Sequence, residues 1–297
     1  MAATPRVRAK HRHILVRMPS DAEGRPAAAR VPRVLSIAGS DSGGGAGIQA
    51  DLKAFARCGV HGMTALTAVT WQNTVAVTGV TPLPPEAIVG QVEAVAEDIG
   101  VDAVKIGMLG SVETIAAVAR ALDLLSGVPV VLDPVMIAES GADLLEPDAR
   151  QALVELLPRA TVATPNLHEA SAIAAVAGLG PAGDQEALAR AVHSVGPSVV
   201  VVTGGHGAGD TVVDLFFDGR RAVPISGPRR PEGATHGSGC THSSGLAAHL
   251  ALGHDPLAAA RAAHQIAAEA VANGLRELGQ GSGPVDVLGL RRRGSVP

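Results

Sequence analysis

The chain has 297 residues, of which 46% are apolar, so it can bury a core as one large domain or two small ones. Its formal net charge is −4, but residues 1–33 hold eight basic and two acidic side chains, which leaves 16 basic and 26 acidic residues elsewhere. An acidic body with only four aromatic residues argues against nucleic-acid binding, and we expect no nucleic-acid partner.

Neither cysteine usage nor hydropathy indicates an exported or membrane protein. Cys58 and Cys240 supply no disulfide framework and no four-ligand zinc pattern. No unbroken apolar run reaches the ~18 residues of a membrane span, and the N-terminus lacks the apolar stretch of a secretory signal. We therefore expect a cytoplasmic protein with no membrane partner.

The chain is expected to divide into three parts. Residues 1–30 are basic and aperiodic, which predicts a disordered extension, with an RNA- or membrane-binding arm as the weaker alternative. Residues 31–280 form the folded body, and residues 281–297 are expected to be a loose C-terminal tail.

Strand-like and helical segments alternate along the body. The predicted strands are 34–38, 63–70, 103–106, 128–132, 161–164 and 199–202, with an edge ribbon at 75–80 and a hairpin of 212–217 and 221–225 around Asp218-Gly219. The predicted helices are 48–57, 85–99, 111–125, 147–157, one opening at 165–169, 243–252 and 256–278. This alternation predicts one α/β domain with a mainly parallel central sheet and helices on both faces.

A glycine-rich loop follows the first predicted strand. Five of the nine residues in Gly39–Gly47 are glycine, so a ligand can lie directly against the backbone. The spacing fails the dinucleotide pattern G-x-G-x-x-G, because Ile48 stands where the third glycine would fall, and the chain has no Walker sequence. Residues of interest fall just after strand ends, where ligands bind in open α/β sheets.

A second glycine turn, Gly237–Cys240, runs into a predicted helix. Such a turn aims backbone N–H groups and the positive end of the helix dipole at one point, which suits a phosphate or a developing negative charge. The same field is expected to lower the pKa of Cys240, and Gly239 is expected to need a positive φ. A tight turn that caps an ordinary helix is the alternative interpretation. His236, Cys240 and His242 are a poor zinc set, because residues inside one tight turn do not converge tetrahedrally.

Polar residues at other strand ends suggest a metal and a heterocycle. Asn166 and Glu169 are spaced i, i+3 at a helix start, which suits Mg²⁺ with phosphate oxygens or, alternatively, simple capping. Asp133 either assists the same metal or caps a loop. Asp51 and Gln72 offer donor and acceptor atoms for a flat ring, although exposed polar residues are usually only solvated.

Several segments, in this order, resemble the hydroxymethylpyrimidine/phosphomethylpyrimidine kinases of the ribokinase-like superfamily. They are residues 38–53, Gln72-Asn73-Thr74, Lys105–Leu109, Leu132–Met136, Thr164–Glu169, Gly204-Gly205-His206 and Gly237–Thr241. The resemblance implies a three-layer ribokinase-like fold with about eight strands. It also implies ATP- and Mg²⁺-dependent phosphorylation of 4-amino-5-hydroxymethyl-2-methylpyrimidine and then of its monophosphate, in a homodimeric enzyme of thiamine biosynthesis.

The resemblance also assigns site residues. It implies a pyrimidine pocket of Gln72, Gly39, Ala46, Asp51 and Met108. For catalysis it implies Cys240, Gly237 and Gly239, for the nucleotide Asn166, Glu169, Thr203, Gly205 and Ser238, and for the metal Glu169 and Asp133.

Two departures from the family pattern bear on function. Thr203 stands where the family often has a phosphate-facing lysine, and Ala234 stands where Asn or Asp is common. The alternatives are a pyridoxal or pyridoxine kinase, whose substrate also presents a hydroxymethyl group, and a catalytically silent pyrimidine-binding module.

Overall fold

The structure is a computed structural model that describes residues 30–180, 183–205 and 209–293. Apart from Arg30, the predicted basic extension lies outside these residues, as do His206 and residues 294–297 of the predicted tail. From Val31 onward the chain forms one compact unit.

Nine strands within the described residues form a single sheet in the order β3-β2-β1-β4-β5-β6-β7-β8-β9. They are β1 (Arg33–Asp41), β2 (His61–Gln72), β3 (Val77–Pro82), β4 (Ala103–Ile106), β5 (Val130–Leu132), β6 (Val162–Ala163), β7 (Val199–Val202), β8 (Thr211–Phe217) and β9 (Ala222–Pro228). The six central strands run parallel, while β3, β8 and β9 pair antiparallel at the two edges. The expected mainly parallel sheet is confirmed, with one strand more than the resemblance implies.

Helices cover both faces of this sheet. They are α1 (Gly47–Arg57), α2 (Pro85–Asp98), α3 (Val112–Asp123), α4 (Ala149–Leu156), α5 (Leu167–Val176), α6 (Gln185–Ser194), α7 (Ser238–Ala251), α8 (Pro256–Ala272) and α9 (Leu290–Arg293). The contacts run α2–α3–α4–α5–α6 in one layer and α1–α7–α8 in the other. No described helix is both long and apolar enough to cross a bilayer.

Alternating side chains of the strands supply the two cores between the layers. Leu35, Ile37 and Ile106 pack toward α2–α6, whereas Val34 and Val131 pack toward α1, α7 and α8. Strands buried on both faces read as continuous apolar runs, and this explains why they were predictable from the sequence.

The main differences from prediction lie near the C-terminus. Helix α7 begins at Ser238, five residues earlier than predicted, and α8 ends at Ala272 rather than 278. The expectation of a loose tail from residue 281 is wrong as far as residue 293. Val285 and Val287 are buried, and the Val285 N–H donates to the carbonyl of His236.

Candidate active site

The glycine loop between β1 and α1 folds around the carboxylate of Asp41. That carboxylate accepts hydrogen bonds from the backbone N–H groups of Gly43, Gly45 and Ala46 at 2.8–2.9 Å. Burial alone would raise the pKa of Asp41, but hydrogen bonds from His236 and from the loop N–H groups outweigh it and lower the pKa. One ionised carboxylate therefore sets the shape of the loop.

Gly39 and Met108 meet at the ends of the neighbouring strands β1 and β4. A Cβ on Gly39 would lie 3.0 Å from the Met108 sulfur, so only glycine lets this thioether pack against the loop. Thr67 fixes the same segment, since its hydroxyl donates to the carbonyl of Met108 at 2.8 Å. The structure thus brings two of the predicted pocket residues together.

Gln72, at the end of β2, is tied to the same loop through its backbone. Its N–H donates to the Ser42 hydroxyl at 2.8 Å, and that hydroxyl donates to its carbonyl at 2.7 Å. The Thr70 hydroxyl lies 3.1 Å from Oε1 of Gln72 and can donate to it. The side chain is half-buried, which leaves its amide nitrogen available to a ligand.

Asp51 lies below the loop rather than open to it, and this corrects its predicted role as a contact to a flat ring. Its carboxylate is fully buried and accepts from Lys105 Nζ at 2.8 Å, from Ser244 at 2.7 Å and from Ser36 at 2.6 Å. Both carboxylate oxygens of Asp51 have partners inside the protein, so we assign Asp51 the role of counter-ion to Lys105.

Lys105 is the buried cation of the site. Burial alone would lower its pKa, but the negative charge of Asp51 and the hydrogen bond to that carboxylate raise it. The ammonium group therefore stays charged in the interior, beside the start of α7. A buried charge is tolerated only when it is paired in this way.

Cys240, on the first turn of α7, behaves differently from prediction. Burial raises the pKa of its thiol to about 12, although Lys105 and a hydrogen bond from the Gly47 N–H act in the opposite direction. The expectation that the helix dipole favours the thiolate is wrong here, because desolvation of the anion outweighs the dipole. At neutral pH this residue presents a thiol.

The turn before α7 leaves two backbone donors open. The Ser238 N–H donates to the carbonyl of Thr235 and the Thr241 N–H to that of Gly237. Within the described residues, the N–H groups of Gly239 and Cys240 have no protein acceptor.

The residue with a left-handed backbone is Gly237, whose φ is +86°. The prediction that Gly239 requires a positive φ is wrong. Gly237 is the residue just before α7, while Gly239 is already inside the first helical turn. A Cβ on Gly239 would meet no atom within 4 Å, so open space lies beside the two unpaired donors.

Two buried carboxylates, Asp133 and Glu169, interact electrostatically near α7. Asp133, after β5, accepts from Ser243 at 2.9 Å, and burial raises its pKa. Burial, together with the negative charge of Asp133, raises the pKa of Glu169 to about 8. Glu169 also completes a capping box with Asn166 at the start of α5, so capping is present as well. Two adjacent buried carboxylates of this kind favour a bound cation.

Thr203 and Gly205 lie next to Asn166, at the end of β7. The Thr203 N–H donates to the carbonyl of Pro165, and Thr203 forms a parallel bridge with Asn166. The Gly205 carbonyl accepts from Arg229 at 2.7 Å. These three of the five predicted nucleotide-binding residues therefore lie together at the carboxyl ends of β6 and β7.

Sequence reasoning missed Lys105, Asp41 and His236 as site residues. A lysine inside the apolar run of β4 was the available signal, since a lysine in a buried strand requires an anionic partner. His236 and Asp41 gave no such signal, because their contact at 3.2 Å joins residues 195 positions apart.

These features define a class of protein. The sheet is mainly parallel, and its carboxyl edge carries a glycine loop, a helix N-terminus with open N–H groups, and paired carboxylates. This arrangement is the one found in ribokinase-like α/β kinases. A family profile described as phosphomethylpyrimidine kinase matches residues 41–286, and the chain belongs to that family of phosphotransferases.

Individual relatives agree with this assignment. The chain is 49% identical over 256 residues to a hydroxymethylpyrimidine/phosphomethylpyrimidine kinase of Rhizobium meliloti, covering 84% of this chain and 95% of that one. It is similar to the crystal structure of phosphomethylpyrimidine kinase from Clostridium difficile, with a TM-score of 0.67 and 38% identity, covering 78% of this chain and 96% of that one. It is also similar to the structure of pyridoxal kinase from Staphylococcus aureus in complex with AMP-PCP and pyridoxal. The TM-score is 0.78 and the identity 35%, covering 89% of this chain and 96% of that one.

Proposed function

We propose that this kinase transfers the γ-phosphoryl group of ATP to 4-amino-5-hydroxymethyl-2-methylpyrimidine and then to the resulting monophosphate. One observation carries the proposal: the open N–H groups of Gly239 and Cys240 lie beside Lys105, between the glycine loop and the paired carboxylates. Family membership supports the choice of substrate. The diphosphate product serves thiamine biosynthesis.

The pyrimidine lies against the glycine loop, within reach of the Gln72 amide. An amide presents both a donor and an acceptor, which matches a ring nitrogen beside an exocyclic amine. Gly39, Ala46 and Met108 shape the floor of this pocket, while Asp51 acts indirectly by holding Lys105. The ring's hydroxymethyl group then points toward the turn before α7.

Transfer proceeds in line, and it relies on positioning and charge stabilisation. A bond forms between the hydroxymethyl oxygen and the γ-phosphorus while the bond from that phosphorus to the departing ADP oxygen breaks. The N–H groups of Gly239 and Cys240 stabilise the negative charge on the phosphoryl oxygens. Cys240 orients the attacking hydroxyl as a neutral thiol, and the hydroxyl proton leaves late, to a phosphoryl oxygen.

The carboxylates of Asp133 and Glu169 and the phosphate oxygens of ATP form an all-oxygen ligand set that suits Mg²⁺. The raised pKa of both carboxylates fits this assignment, because burial disfavours their charged forms and a bound cation would compensate that charge. When bound, Mg²⁺ neutralises charge on the phosphates of ATP. Asn166, Thr203, Gly205 and Ser238 complete the nucleotide side of the site.

The test is a coupled ADP-release assay with the pyrimidine, followed by mass spectrometry of the product. Two additions of a phosphoryl group to one pyrimidine support the proposal, and absence of any diphosphate at high enzyme concentration overturns the two-step claim. Gly239→Val is the matched control for a contaminating kinase. Its side chain enters open space, so the variant folds, but it obstructs the two open N–H groups.

The likeness to pyridoxal kinase favours pyridoxal as a second substrate of the same pocket. Running the assay with both ring compounds compares their kcat/KM values directly. A catalytically silent binding module is disfavoured by family membership and by the open donors at α7. A homodimer remains our proposal from the resemblance, and light scattering on the eluted protein tests it.

A further inference from the structure

The glycine loop and the turn before α7 touch each other at two points. His236 Nε2 lies 3.2 Å from Oδ2 of Asp41, the carboxylate around which the glycine loop folds. One residue later, a Cβ on Gly237 would lie only 1.8 Å from the carbonyl oxygen of Gly45. The two segments that the proposed function assigns to the acceptor and to the phosphoryl group are therefore in direct contact.

His236 is held both by its ring and by its backbone. His236 is 6% exposed, and a Cβ on Gly45 would lie 2.1 Å from its Cδ2 atom, so the ring packs directly against the glycine loop. The main-chain N–H of His236 donates to the carbonyl of Gly283, and its main-chain carbonyl accepts from the Val285 N–H. His236 is therefore fixed through its backbone, and its ring lies between Asp41 and the glycine loop.

The direction of the hydrogen bond follows from the charge of its partner. Asp41 is ionised and accepts three backbone N–H groups, so it accepts the fourth hydrogen bond as well and His236 carries a proton on Nε2. His236 directly precedes Gly237, so a shift of this ring moves the first N–H groups of α7.

We propose that His236 is a positioning residue whose bond to Asp41 sets the turn Gly237–Cys240 in register with the glycine loop. The bond fixes the separation between the attacking hydroxyl and the phosphoryl group, and this role rests on the proposed function. A misplacement of about 1 Å at such a site can cost about 100-fold in rate. In this role His236 acts through the two segments that it joins.

The experiment compares His236→Leu with His236→Gln, whose amide nitrogen restores a donor near the original Nε2. His236→Leu should lower kcat about 10- to 100-fold, leave the KM for ATP within about threefold, and raise the ratio of ADP released to pyrimidine phosphorylated, because water replaces the misaligned hydroxyl. His236→Gln should recover most of the rate and the coupling ratio.

The control is His242→Leu, the same change on α7 at a buried ring that faces Asp214 instead of the glycine loop. It should keep both kcat and the coupling ratio. A His236→Leu enzyme with unchanged kcat and coupling overturns the inference, as does a His236→Gln enzyme no better than His236→Leu. A loss of folded protein alone lowers Vmax at a constant coupling ratio, and that result also overturns the inference. Failure of the wild-type chain to phosphorylate the pyrimidine contradicts the proposed function instead.

Discussion

Replacing His242 by leucine should stabilise the protein. His242, on α7, is 4% exposed, and neither ring nitrogen has a hydrogen-bond partner among the residues that the structure describes. Its nearest charged neighbour is Asp214, 3.5 Å from Nε2, and that carboxylate already accepts from His264 at 2.7 Å and from the Gly204 N–H. The imidazole is thus a buried polar group whose hydrogen bonds to water were lost and not replaced.

The size of the effect follows from that loss. Burying an unpartnered polar group costs about 1–3 kcal/mol, and a leucine of similar volume removes this cost while adding apolar burial. We therefore expect His242→Leu to raise the free energy of unfolding by about 1–2 kcal/mol. For a domain of this size that corresponds to a rise in Tm of about 2–5 °C.

The gain should also depend on pH. Burial lowers the pKa of His242 below 6.5, so the unfolded chain binds a proton at this ring below about pH 6.5 while the folded chain does not. Wild-type stability therefore falls as the pH drops through that range, and the leucine variant lacks this component. The advantage of His242→Leu should be larger at pH 5 than at pH 8.

Chemical denaturation at pH 5 and pH 8 measures both effects. His264→Leu is the matched control, because it removes the 2.7 Å donor to Asp214 and should lower stability. A His242→Leu variant less stable than wild type at pH 8 would falsify the assignment of an unpartnered ring. An equal gain at both pH values would contradict the linkage argument.

Three further changes test other parts of the structure. Cys240→Ser should keep kcat within about tenfold of wild type between pH 6 and 9, because a thiol with a pKa of about 12 does not act as the general base. A loss of kcat above about 1000-fold would show that Cys240 is the general base after all. The affinity for Mg²⁺ should rise between pH 7 and 9, because Glu169 has a pKa of about 8 and ionises over this range; calorimetry measures the affinity. The Glu169→Gln variant should show no such dependence on pH. Gly281→Ala should lower Tm, because its Cβ would lie 1.9 Å from the carbonyl oxygen of Thr74. Its control is Gly90→Ala on α2, where the new Cβ meets no atom within 4 Å and alanine should raise Tm. Equal changes in Tm for the two variants would refute the predicted clash at Gly281.

Local sequence signals predicted much of this fold. The buried strands read as apolar runs, the Asp218-Gly219 hairpin is present, and Ser111 caps α3 through the Thr114 N–H as expected. Gly59 takes the positive φ of a helix stop. Each of these features depends on residues within a few positions of one another, where backbone conformation and side-chain type are directly linked.

The site was less predictable, because its chemistry depends on distant contacts. Lys105 and Asp51 pair across 54 positions, and this pairing turned Asp51 from an expected ring contact into a buried counter-ion. For Cys240, the local rule about helix dipoles gave the wrong direction, since burial by other segments decides the pKa of the thiol. The final segment was misread because Val285 and Val287 pack without a helical or strand period.

The segment 280–285 supports both the loop after β2 and the turn before α7, and this determines when the site can form during synthesis. The Thr74 hydroxyl accepts from the backbone of Gln280 and Gly281, more than 200 residues later, and His236 pairs with Gly283 and Val285. The loop after β2 is translated more than 200 residues before Gln280 and Gly281, which support it. The sheet can form while the chain is still growing, but the site is complete only once residues 280–285 have been added, so a ribosome stalled before residue 280 displays a folded sheet without a working site.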